Sequence, residues 1–113
     1  MTNEPMIDHA PLQAYLNRPV EDLMAELELY DPASRGPAEV WNKIAGPVRQ
    51  RLCVEWGYCI VRQDARWDDD LTLTLAVVAA LSRPVLHLPI PADLLLIAAI
   101  VVKRGLDLFC GCP

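Results

Sequence analysis

Little in this chain announces chemistry. There is no glycine-rich phosphate loop, no H-E-x-x-H zinc signature and no G-x-S-x-G nucleophile elbow. Glycine is scarce, at five in 113 residues. The two histidines, His9 and His87, lack the Cys, Asp or Glu neighbours that a ligand set or a triad requires, Asp8 beside His9 apart. Enzymatic activity is therefore not expected. Positive charge is also short: Lys+Arg number 10 against 15 for Asp+Glu, a net charge of -5. A nucleic-acid binder displaces counterions with a basic footprint, so that class is excluded.

Targeting signals are missing in the same way. No Lys or Arg precedes Arg18 and no apolar core follows Met1, so the N-terminus does not read as a secretory signal peptide. Cys110-Gly111-Cys112-Pro113 fits no prenylation box. The expected compartment is the cytoplasm, where Cys53, Cys59, Cys110 and Cys112 stay reduced as thiols. Long apolar runs are lacking too. A membrane-spanning helix needs about 20 apolar residues. The longest runs here are Leu94 to Val102 and Leu75 to Leu81, the second reaching back to Leu71 if its threonines are tolerated. Such lengths suit a buried core, and a membrane-active hairpin built from the same two segments is the alternative.

What the chain does have is apolar bulk. It is 53% hydrophobic and 6% aromatic, the composition of one compact domain that buries roughly two-thirds of its unfolded surface. Charge is divided unevenly. Residues 1–46 hold eight acids and three bases, and the remainder is neutral. The division predicts an acidic N-terminal arm over 1–36, with one amphipathic helix, attached to a helical core over 37–113.

Ten prolines set the punctuation. Pro5 and Pro11 predict an irregular start. Pro19 suits the first turn of a helix, and Val20, Leu23, Met24, Leu27 and Tyr30 then recur on one face with acids opposite. Asp31-Pro32 ends it. Pro37 opens a short helix to Ala45, and Gly46-Pro47 is expected to break it. A third helix is predicted from Val48 to about Gln63, with Leu52, Trp56, Cys59 and Ile60 inward and Arg51, Glu55 and Arg62 on the far face. Asp68-Asp69-Asp70 reads as an N-cap for a fourth helix over Leu71 to Leu81. A proline-rich loop, Pro84 to Pro91, then leads to a last helix from Ala92 to about Arg104, where Lys103, Arg104 and Gly105 are stop signals. Helical continuation from Leu106 to Phe109 is allowed. The expected fold is all-α, a small bundle of four to five helices.

Two sets of residues are candidates for a site. Four thiolates, Cys53, Cys59, Cys110 and Cys112, supply the ligand set of a tetrahedral zinc site or a redox centre. On one continuous helix, however, Cys53 and Cys59 stand about 120° and about 9 Å apart and cannot face one metal. Small buried or frayed thiols are the plainer reading, with no cofactor. The second set is the stripe Val20, Leu23, Met24, Leu27 and Tyr30, with Trp67 as a partly exposed aromatic anchor. These residues predict a docking face for a protein partner or a second copy, and hence a non-catalytic interaction module.

Overall fold

A computed structural model describes residues 9–63 and 69–113, with the backbone alone at residue 9. The fold is all-α. Helices α1 (His9–Leu16), α2 (Val20–Glu28), α3 (Pro37–Arg49), α4 (Tyr58–Val61), α5 (Asp70–Ser82), α6 (Leu94–Arg104) and α7 (Leu106–Cys110) follow in order, with a π-helical segment, Gln50–Glu55, between α3 and α4.

Helix α6 is the hub, packed against α1, α2, α5 and α7. Leu96, Ile97, Ala98, Ala99, Ile100 and Val101 are consecutive and all fully buried. A helix can bury every face only when neighbours surround it, and Ala98 and Ala99 let those neighbours approach closely. Each large aliphatic side chain removed from water here contributes roughly 1.5–3 kcal/mol. The α5 face that meets α6 carries Val77, Val78 and Leu81. The two most apolar segments thus cover one another, and no helix among the described residues is long and apolar enough to cross a membrane.

The helix starts follow local chemistry. Asp69 caps α5, its carboxylate accepting from the Thr72 N–H at 2.9 Å. Asp93 caps α6 in the same way through the Leu95 N–H at 2.9 Å. The last long helix therefore begins at Leu94, two residues later than Pro91 suggests, because the carboxylate satisfies an amide that proline merely dispenses with.

Three expectations are corrected. The irregular start is helical: Pro11 sits in the first turn of α1, where its missing N–H costs nothing, and Leu12 is fully buried. Gly46-Pro47 does not break α3, which runs through it to Arg49. Val40, Ile44, Val48 and Leu52 form one fully buried row at four-residue spacing, and that shared burial outweighs the lost hydrogen bond at Pro47. The single third helix is instead a π segment and a short α4, parted at Gly57, whose φ of 72° is left-handed and favours glycine. A further helix, α7, also follows the proline-rich loop and α6, entered through Gly105 at φ 96°. The segment read as an acidic arm places Leu12, Leu23 and Leu27 in the core.

Candidate functional site

The cysteines form two disulfides, Cys53–Cys110 and Cys59–Cys112. This corrects the thiol expectation, since no free cysteine stands among the described residues. Among the described residues no group of three or more His, Cys, Asp or Glu is placed to hold a metal. The continuous-helix geometry that separated Cys53 from Cys59 fails at Gly57, where the chain turns. Both then face the C-terminal segment, as parallel rungs that bind the π segment and α4 to α7 and its end. Arg62 completes the clamp. It pairs with Asp107 at 3.1 Å and donates to the Pro113 carbonyl oxygen at 2.8 Å.

A groove lies between α2 and α3. Helix α2 presents Val20 and Met24 sideways while Leu23 and Leu27 point into the core. Pro37, Ala38, Trp41 and Asn42 of α3 form the facing wall, and Arg104 at the end of α6 closes one end. This hollow has a volume of about 480 Å³. Trp41, only 8% exposed, is its floor. A second hollow of about 230 Å³ shares Trp41 and Arg104 and adds Arg49, Leu108 and Phe109. The two hollows adjoin at Trp41 and Arg104, and together they are called the trough.

Two arginines lie over aromatic rings in this trough. The Arg49 guanidinium carbon is 4.5 Å from the centre of the Phe109 ring, and Arg49 Nε donates to the Phe109 carbonyl oxygen at 3.2 Å. The Arg104 guanidinium carbon is 5.6 Å from the Trp41 ring centre, with one nitrogen 3.9 Å from Met24 Sδ. Phe109 and Trp41 are themselves 5.9 Å apart and tilted by 58°. Cation–π attraction holds each guanidinium near its ring, and its five N–H donors are more than the single contact to Phe109 or Met24 takes up. Among the described residues neither arginine has a carboxylate partner; the ion pairs there are Arg18–Glu26, Lys43–Asp31, Arg51–Glu55 and Arg62–Asp107.

A polar cluster gathers beside the start of α6. Tyr15 donates to Asp93 Oδ2 at 3.2 Å, and Arg18 meets Glu26 at 2.6 Å. Burial, reinforced by the Glu26 and Asp93 carboxylates, raises the Tyr15 phenol well above its usual range, and the same three influences raise Tyr30. Burial and the adjacent Asp107 push Tyr58 up to about 12. Each shift keeps the phenol protonated and uncharged at neutral pH, and the Tyr15 hydroxyl is a donor to Asp93.

The predicted docking stripe is divided by the fold. Val20 and Met24 line the trough. Leu23 and Leu27 are 0% exposed and offer nothing to a partner. Tyr30 is half-buried and lines a separate hollow with Glu26 and Leu29. Trp67 lies outside the described residues. The far-face arginines also part ways, since Arg51 is buried rather than solvated. Trp41, Arg49, Arg104 and Phe109 escaped sequence reasoning because Trp41 fits a core stripe and Arg104 a helix stop. No family model, curated protein or solved structure matches this chain.

Proposed function

We propose that the chain is a small protein-interaction module that docks a partner along the trough between α2, α3 and α7. The single observation that carries the reading is the hollow of about 480 Å³ whose lining includes the apolar side chains of Val20, Met24, Ala38 and Trp41. An all-α fold offers no strand edge among its described residues, which favours helix-in-groove recognition over strand addition. The two disulfides support residence in an oxidising compartment in place of the expected cytoplasm, because such cross-links persist where thiols are not kept reduced. Panning an unbiased library of helical peptides against the oxidised protein tests the reading. Enriched peptides are expected to bind the wild type and to lose at least about tenfold in affinity against Met24→Glu. No enrichment, or binding indifferent to Met24→Glu, sinks it.

A further inference from the structure

The arginines of the trough define what kind of partner fits. We infer that the occupant is an amphipathic helix carrying carboxylates at the end that meets Arg49 and Arg104, an inference that rests on the docking reading above. Both guanidiniums border the 230 Å³ hollow, and neither has an acid opposite it among the described residues. A guanidinium held near a ring keeps N–H groups that the ring does not occupy, and such groups grip a carboxylate with two parallel hydrogen bonds where one is brought to them.

The apolar part of the occupant follows from the rest of the lining. Val20, Met24, Ala38 and Trp41 accept aliphatic side chains from one helical stripe. Leu108, 85% exposed on the rim, adds a contact at the arginine end. Glu21 lines not the 230 Å³ hollow but the 480 Å³ one. An acid there is repelled, so the trough has a polarity: carboxylates toward α7, neutral or basic groups toward the start of α2. The protein's net charge of -5 makes this local arrangement decisive, since a purely long-range field repels every acidic partner.

The test uses the oxidised full chain and a fluorescein-labelled amphipathic helical peptide with leucines on one stripe and glutamates beside it. A second peptide has every glutamate replaced by lysine, and laurate serves as a carboxylate without a helix. Fluorescence anisotropy is expected to show binding of the glutamate peptide, weakened at least about tenfold by the double variant Arg49→Glu/Arg104→Glu. Arg35→Glu and Arg83→Glu, at exposed arginines outside the trough, are expected to leave binding unchanged. Circular dichroism confirms that each variant is folded, and Arg104→Lys, which keeps the charge but not the fork, is expected to fall between. Equal binding of the lysine peptide overturns the acidic class and leaves the docking reading standing. Laurate bound without the peptide, or self-association abolished by the double variant, replaces the helix with a small amphiphile or a second copy. If neither peptide binds, the inference fails, and the unbiased library alone decides the docking reading.

Discussion

Arg51 caps a helix that begins nineteen residues after it in sequence: its Nη1 donates to the Ala80 carbonyl oxygen at 3.0 Å. The same nitrogen reaches Leu81 at 3.3 Å and also Pro84, while Nε pairs with Glu55 at 2.9 Å. The last carbonyls of α5 have no amide of their own, and a cation at that end also complements the helix dipole. Arg51 is only 8% exposed, so water cannot readily replace it. Arg51→Ala is expected to destabilise by about 1–3 kcal/mol, the cost of leaving buried acceptors unpaired. Arg51→Lys should recover part of that loss. Urea unfolding of the oxidised protein measures both, and a change within 0.5 kcal/mol for Arg51→Ala, about the scatter of ordinary surface substitutions, would refute the capping role.

The disulfides join residues 57 and 53 positions apart, and the two loops almost coincide. Closing the first is worth about 4 kcal/mol in unfolded-chain entropy; the second then closes only a short ring, worth about 2–3 kcal/mol. Removing one pair, by Cys53→Ser/Cys110→Ser, is therefore expected to cost the smaller figure. Full reduction costs far more, a large share of a small domain's total stability. Thermal melts with and without reductant, beside thiol counting, check the order. Free thiols in the purified native protein contradict the pairing.

Alkaline titration reads the three shifted phenols. Tyr58 has its folded pKa raised to about 12 by burial and by Asp107, and Tyr15 and Tyr30 are also raised. A raised pKa means the folded state keeps a proton that the unfolded chain releases near pH 10. The resulting stability is full below that value and lost as pH climbs from about 10 toward about 12. Tyrosinate absorbance at 295 nm should therefore lag behind that of the urea-unfolded protein by more than one pH unit. Superimposable curves would refute the burial. Asp31 behaves in the mirror sense at acid pH, its pKa lowered by hydrogen bonds from Lys43 and Ser34, so its contribution is present above the usual carboxylate range and fades as pH falls below it.

Elements specified by neighbours in sequence were legible. The Val20–Tyr30 stripe, the Asp69 cap of α5 and the Gly105 turn after α6 all act over one or two helical turns, the range that periodicity and capping rules cover. What escaped depends on distant partners. Pro47 is tolerated inside α3 because the row from Val40 to Leu52 has something to pack against. Cys53 and Cys59 find Cys110 and Cys112 only after Gly57 turns the chain, and Arg51 becomes a buried cap only once α5 arrives. The trough was half visible: Val20 and Met24 stand in the amphipathic stripe, but the fold had to place Arg49 and Arg104 over their rings.

The central position of α6 also governs how the chain comes into being. Helices α1 and α2 leave the ribosome before residues 94–104 exist, so the surfaces of α1 and α2 that pack on α6 wait for their cover through most of synthesis. Bare aliphatic surface on a growing polypeptide invites aggregation until its cover is made. Completion of this core thus waits for the sixth helix, and the two disulfides then tie α7 and its end to the π segment and α4.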